Sequence, residues 1–459
     1  MTEAAAAPSH ARDLISSALA LELGAVPDDV VQPARTLLLD SIGCAIFGAG
    51  QPWSRIVAEE VLAEGSSGPC TVLGTAGKRL PPVAAALCNG TAMHGFELDD
   101  VMPRALVHPG TVIVPAVLAA AEDVGATGAD LLRAVIVGYE AIGRMSLALG
   151  TRPSEIGFHK TGIVGPAAAS LACSLLFRLS EAETACAIGI ACSAASGIKS
   201  FAAGSGGGMV KRLHAGQAAA AGVRAASLAR RGFTGPATAL DGKFGLLEVY
   251  GGGGDARQLA AGFGTDWLIR EVGTKFYPVC GGIQGPVQLV LQLRAGASWR
   301  PRDIERLVVG TSAFAFNHNG NTEPRDTMEA QYSLPYGVAL AALADPADPQ
   351  AYMPASLEDA DIRALARRVE MVIDPDCDAV HPRQVACRVR LHLADGSVVE
   401  AETFDPQGSP ANPWQRPELE EKFTRLAGAV DSAAIIGLVN TLETVPDCRH
   451  LGDLLVASN

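Results

Sequence analysis

The stretch HGFELDDVMPRALVHPGTVIVPAVLAAAE, from His94 to Glu122, sets three acids and a histidine on one side of a loop. On the other side stands His108, followed by Pro109-Gly110 and an apolar, helix-like run. Imidazole titrates nearest neutral pH, so a histidine at the mouth of an apolar helix can both take and return a proton. His159, in EIGFHKTGIVGP, also precedes such a run. Lys211, Arg212 and His214 lead the alanine-rich MVKRLHAGQAAAAG; Lys275 lies in GTKFYPVCGG and Tyr336 in QYSLPYGVALAAL. Each has an ordinary use when taken alone: a histidine bonded to backbone beside a helix, a solvated basic turn, a lysine at a strand end, a core tyrosine. The paired acids Asp99 and Asp100 serve as readily for capping and salt bridging as for catalysis. Together the set suits proton removal beside a carboxylate. Histidine supplies the base, tyrosine or histidine the acid, and lysine or arginine holds the carboxylate and the developing enolate-like charge.

Other chemistries lack their signatures. There is no G-x-S-x-G, H-E-x-x-H, P-loop or G-x-G-x-x-G after a strand. GSGGG, Gly204–Gly208, reads as a flexible loop rather than a phosphate cradle. The ten cysteines include no C-x-x-C and lie mostly in apolar runs, so they read as reduced core residues. With no ligands clustered along the chain, no metal is expected. A net charge of −13 excludes nonspecific nucleic-acid binding, which needs a basic surface, though a local basic pocket can still take an anionic substrate. The N-terminal stretch lacks a basic region followed by an apolar one, and IVPAVLAAA and AAASLACSLLF are short or interrupted for a bilayer span. The expectation is a cytoplasmic protein with no membrane partner.

These residues need elements to position them. Up to about residue 260, apolar residues recur at three- and four-residue spacing, with Gly and Pro at the joints. Many of these segments are apolar nearly all round, as in the core of a large helical domain. After GTDWLIREVGTKFYPVCGG the texture changes. PRDIERLVVGTSAFAF, RRVEMVIDPD and QVACRVRLHLADGSVVEAETF alternate like strands, the last with ADGS as a turn. The expected fold is mainly α with a smaller α+β domain. A helical domain covers 1–270 and is completed by the tail 406–459; an α+β domain covers 271–405.

In order along nearly the whole chain, HGFELDDV…VHPGTVIVPAVLAAAE, GFHKTGIVGPAAAS, KRLHAGQAAAAG, ALDGKFG, KFYPVCGGIQGPV, EAQYSLPYGVA and PQGSPANP resemble the MmgE/PrpD superfamily of 2-methylcitrate dehydratases and cis-aconitate decarboxylases. The resemblance implies a large helical domain, a smaller α+β lid, a homodimer and no metal or organic cofactor. It places the pocket acid on Glu97, the histidines on His108 and His159, the lysines on Lys211 and Lys275 and the tyrosine on Tyr336. His108, His159, Tyr336 and Glu97 are then the catalytic candidates. Lys211, Lys275, His214, Asp99 and Gln284 are the substrate-binding ones. The sequence departs from relatives at Val101-Met102, where Thr-His is frequent, and at Gln284, where histidine is frequent. The implied activity is a lyase acting on a small polycarboxylate or hydroxy acid, by dehydration or decarboxylation. The alternatives are epimerisation of a dicarboxylate, as in iminodisuccinate epimerase, and a non-catalytic carboxylate-binding homologue.

Overall fold

The computed structural model describes residues 9–203 and 207–456, so Gly204, Ser205 and Gly206 of the glycine-rich loop lie outside the described residues. Contacts divide the chain into two units. The larger takes residues up to Gly95, Asp99–Val272 and residues from Arg416 on; the smaller takes Phe96–Leu98 and Gly273–Gln415. The second break falls ten residues beyond the expected 405/406, for a physical reason. Gln407 N–H donates to the Gln288 side chain at 2.9 Å, and the Gly408 carbonyl accepts from Thr274 N–H at 2.9 Å, so the PQGSPANP segment is bonded into the smaller unit.

The larger unit is built around the helices α1 (Asp28–Ala49), α2 (Pro82–Met93), α3 (Gly110–Val124), α4 (Gly128–Leu149), α5 (Lys160–Leu176), α6 (Met209–Arg230) and α7 (Arg416–Ala427). α6 packs on α2 and α5, α4 on α5, and α3 against all four. The wealth of glycine and alanine has its reason in these crossings. A Cβ on Gly90 of α2 would meet the Cα of Gly216 in α6 at 2.8 Å, so the two backbones touch only because neither residue carries a side chain. α1 alone among the described helices has the length and apolarity of a membrane span. It is a core helix: its Asp40 pairs with Lys422 of α7 at 2.6 Å with both side chains buried, which ties the C-terminal segment to this unit. Breaking such a pair by removing one partner costs about 3–5 kcal/mol, because the other charge stays buried.

The smaller unit holds a four-stranded mixed sheet in the order β2-β1-β3-β4: β1 (Ile304–Thr311), β2 (Val369–Ile373), β3 (Cys387–Leu393) and β4 (Val398–Thr403). β1 runs parallel to β2 and antiparallel to β3, and the expected ADGS turn joins β3 to β4. In β3 alternate residues are buried, the period-two pattern of a strand with one covered face. That cover is the helix Gly281–Ala295, which packs on β3 and β4 and on the helix Leu334–Leu343.

Candidate active site

Four of the chain's histidines meet in the larger unit. His94 is the C-cap of α2, His108 stands just ahead of α3, His159 is the N-cap of α5, and His214 lies in the second turn of α6. Ring centroids of His94 and His108 are 4.9 Å apart. His159 lies 5.7 Å from His94, 6.1 Å from His108 and 5.4 Å from His214. Helix ends converge here because the residue before a helix escapes the 3.6-residue packing pattern, and its side chain can turn into the gap between helices.

The paired acids divide the work. Asp99 Oδ2 lies 2.7 Å from His108 Nδ1 and 3.1 Å from His94 Nδ1. Asp100 instead pins the backbone: its Oδ1 accepts Gly110 N–H at 2.9 Å and its Oδ2 accepts the Tyr139 hydroxyl at 2.7 Å. Gly110 has to be glycine, since a Cβ there would stand 2.7 Å from the Tyr139 oxygen and 3.0 Å from Asp100 Oδ1. Burial pushes the Asp100 carboxyl up to about 7, against the pull of its bonds to Tyr139 and Gly110. Thr161 of α5 accepts the His108 backbone N–H at 3.2 Å, and the Thr111 hydroxyl donates to the His108 carbonyl at 2.9 Å.

These bonds fix a tautomer. Besides Asp99, the partner of His108 Nδ1 is the Asp100 carbonyl oxygen at 2.9 Å. Facing a carbonyl oxygen, which can only accept, Nδ1 must carry the hydrogen, which leaves Nε2 of neutral His108 as the proton-accepting atom. Its side chain is 17% exposed, against 2% for Asp99 and 0% for His94, so His108 is the member of this trio that reaches solvent. His159 shares a hydrogen bond with His214, Nδ1 to Nδ1 at 3.2 Å, so one ring donates and the other accepts. Burial, then the neighbouring His94, His108, Lys211 and His214, hold His159 well below the ordinary imidazole range. Burial brings His94 down to about 4, even beside Asp99.

Lys211 and Arg212 do not form the solvated turn that their sequence also allows; both are buried in the first turn of α6. Arg212 lies over the Trp53 ring at 4.7 Å and donates to the Gly95 carbonyl at 3.2 Å and the Gly208 carbonyl at 2.6 Å, which steadies the chain after His94. Burial also draws Lys160 down to about 8; its ammonium donates to the Ser146 carbonyl at 3.0 Å.

In the smaller unit, Lys275 Nζ lies 3.2 Å from Glu97 Oε2, and both residues are buried. Glu97 has φ +56°, a left-handed conformation that costs a non-glycine residue about 1 kcal/mol or more. The Gln331 side chain holds the adjoining Phe96 carbonyl at 2.9 Å. Lys275 sits in a loop ahead of the helix Gly281–Ala295, not at a strand end. Gln284 braces that loop: Oε1 accepts the Phe276 and Tyr277 N–H groups at 3.3 Å each, and Nε2 donates to the Tyr277 and Val279 carbonyls at 2.7 and 3.1 Å. Four backbone bonds engage its amide, so both ends of the side chain serve the loop. Tyr336 donates its hydroxyl to the Ala351 carbonyl at 2.6 Å, and burial pushes it up to about 12.

The expected site residues thus fall into two groups. The larger unit gathers Asp99, His108, His159, Lys211 and His214; the smaller holds Glu97, Lys275, Gln284 and Tyr336. Of those assigned to substrate, Asp99 lies against His108, His214 is bonded to His159, and Gln284 is bonded to the Lys275 loop. Sequence reasoning passed over His94, Thr161 and Tyr139. His94 was legible only as part of the acid-rich stretch; Thr161 and Tyr139 come from distant helices and carried no local signal. His94, Asp99 and His108 also offer three donor atoms within 4.8 Å of one another, enough for a small divalent ion, although no such cluster shows along the sequence. In this structure His94 Nδ1 is hydrogen-bonded to Asp99 Oδ2, and His108 Nδ1 lies 2.7 Å from the same oxygen.

Comparison with known proteins decides the family. The profile of the MmgE/PrpD N-terminal domain matches residues 12–259, and that of the MmgE/PrpD C-terminal domain matches residues 277–443. The chain belongs to the MmgE/PrpD family. This MmgE/PrpD protein is 30% identical to the cis-aconitate decarboxylase of Aspergillus terreus, over 94% of this chain and 92% of that one. It is 29% identical to a cis-aconitate decarboxylase-like protein of Aspergillus oryzae, over 94% and 93%. It is 28% identical to the cis-aconitate decarboxylase of Homo sapiens, over 95% and 92%. Family and relatives together support a lyase-type enzyme.

Proposed function

We propose that this protein is a cofactor-independent lyase that moves one proton at the carbon beside a carboxylate of a small polycarboxylate, with decarboxylation of a cis-aconitate-like acid as the leading reaction. The observation that carries the proposal is His108, with Nδ1 donating to the Asp100 carbonyl beside Asp99 and Nε2 left to exchange a proton. In such an acid a carboxylate lies on the carbon next to a C=C bond. When that C–C bond breaks and CO2 leaves, its electron pair forms a new C=C and the original double bond's pair moves to the carbon beside a remaining carboxylate. There an imidazolium delivers a proton. His108 suits the role because its ring reaches solvent beside Asp99, whereas burial holds His159 and His94 below the ordinary imidazole range. Lys211 and Lys275 are the proposed cations for substrate carboxylates, and His159, oriented by His214, the proposed partner imidazole. Tyr336, with its proton bonded to Ala351 and its ionisation pushed upward, is the weaker candidate for an acid.

Dehydration of a hydroxy acid uses the same groups, with His108 as base and hydroxide as the leaving group. Epimerisation would return the proton to the other face. Incubation with cis-aconitate and with hydroxy tricarboxylates in D2O, followed by NMR, separates the outcomes. CO2 loss with one deuterium in the product supports the decarboxylase. A protein that binds these acids yet exchanges no deuterium is a binding homologue, and the proposal fails.

The working form is proposed to be a homodimer formed through the larger unit. Supporting it, Ile156, Ile198, Met209, Val210 and Phe244 of that unit expose large apolar side chains in the free chain. A monomer by light scattering at micromolar concentration would refute this.

A further inference from the structure

Lys422 is a buried lysine that the proposed mechanism does not use. It comes from α7, in the C-terminal segment, and its ammonium donates to Asp40 Oδ1 of α1 at 2.6 Å. The two helices approach closely at this level: a Cβ on Gly43 of α1 would stand 3.0 Å from the Phe423 ring. Next to Asp40 in α1, the Ser41 hydroxyl stands with the Tyr139 hydroxyl and Asp100 Oδ1 around the bare Cα of Gly110. The residue before Asp100 is Asp99, whose Oδ2 lies 2.7 Å from His108 Nδ1. The lysine of the C-terminal segment is therefore set behind the paired acids of the candidate site. The groups around it are few. α1 presents Asp40 and the Cys44 thiol, and the loop ahead of α3 presents Asp99. Burial pulls the Lys422 ammonium down, yet Asp40 first, then Cys44 and Asp99, carry it above the ordinary lysine range. Burial pushes the Cys44 thiol well up, so at neutral pH that sulfur brings no charge. His94, brought by burial to about 4, brings none either.

We infer that Lys422 is a positioning residue for the acid–base site: the C-terminal helix supplies one buried cation that serves Asp40 and Asp99 together, and so holds Asp99 as the carboxylate beside His108. A buried lysine–aspartate pair is a poor device for stability alone, since apolar residues of similar volume serve the fold as well or better. Shared with a second acid at the candidate site, the same lysine has a chemical use. It joins His94 and His108 around Asp99 and comes from the opposite end of the chain. The effect on rate rests on the proposed reaction at His108; the pairing of Lys422 with Asp99 does not.

The test removes Asp40 first, so that a lysine serving Asp40 alone would lose its purpose. Asp40→Asn should fold and keep the wild-type pH profile of kcat. Adding Lys422→Met should move the acid limb of that profile up by about one unit or more, the shift expected when a neighbouring cation is taken from a carboxylate, and so lower kcat on that limb roughly tenfold. A second measurement needs no reaction. In the Asp40→Asn background, Lys422→Met should lower the melting temperature clearly more when residue 99 is aspartate than after Asp99→Asn. An acid limb that stays where Asp40→Asn has it overturns the positioning. Equal drops in melting temperature with and without Asp99 overturn the pairing as well. If Asp40→Asn/Lys422→Met does not fold, adding Asp99→Asn should restore folding, and failure to do so refutes the inference. If the wild type incorporates no deuterium from D2O, the proposed lyase reaction falls and the melting-temperature comparison alone decides on Lys422.

Discussion

Replacing His108 with Gln separates proton transfer from loop anchoring more sharply than any other single change. Two of the residue's anchors are main-chain bonds, from its N–H to Thr161 Oγ1 and to its carbonyl from Thr111 Oγ1, and the substitution keeps both. What it removes is the imidazole Nδ1–H donated to the Asp100 carbonyl and the close approach of that nitrogen to Asp99 Oδ2. A hydrogen bond to a charged group contributes about 1.5–3 kcal/mol, and here a glutamine amide can restore part of it to a side chain that is partly in solvent. The stability loss should therefore stay below about 2 kcal/mol. Removing a general acid or base costs about 10²–10⁴-fold in kcat, which at 1.36 kcal/mol per factor of ten is roughly 3–5 kcal/mol of barrier. The loss of rate should clearly exceed the loss of stability. Three measurements on purified His108→Gln check this: melting temperature, substrate binding by calorimetry, and deuterium incorporation from D2O per folded molecule. Near-normal melting and binding with deuterium incorporation down at least a hundredfold is the expected result. A lowered melting temperature with turnover per folded molecule within about threefold of wild type would show that His108 only anchors the loop before Pro109, and the mechanism would be refuted.

Lys275→Met should weaken substrate binding by about 1.5–3 kcal/mol through loss of a charge-assisted hydrogen bond, and should also destabilise the fold, because it leaves the buried Glu97 carboxylate without its lysine. Adding Glu97→Gln should restore most of the melting temperature but not the binding; unchanged KM and kcat in Lys275→Met would show that it does not contact substrate. Asp100 holds its proton more tightly folded than unfolded, so the stability that it contributes is present below about pH 4 and is lost as pH rises toward 7. From pH 5 to 8 that loss is roughly 3 kcal/mol, from about two units at 1.36 kcal/mol each. Asp100→Asn should flatten the fall in melting temperature over that range, and parallel curves for the two proteins would contradict the assignment. Activity should survive exhaustive chelation; stoichiometric zinc or iron bound at His94, Asp99 and His108 would overturn metal independence.

The sequence by itself determined the elements and most of the chemistry's ingredients. Apolar residues at three- and four-residue spacing gave the helices of the larger unit, and alternation around the ADGS turn gave β3 and β4, because burial on one face leaves its period in the residue order. The motifs also carried the family, and the resemblance singled out Glu97, His108, His159, Lys211, Lys275 and Tyr336 as candidates. Tertiary structure decided what those residues touch. Asp99 and Asp100 are adjacent and chemically identical, yet one bridges two imidazoles and the other pins Gly110 and Tyr139; only the placement of α2, α3 and α4 separates their roles. The same holds for His94, which a sequence reader meets as one more polar residue at a helix end. It also holds for Gln284, which reads as a lost histidine and is found clasping the backbone beside Lys275. Periodicity records which face of an element is buried. It does not record the partner on the other side, because that partner comes from a segment tens or hundreds of residues away.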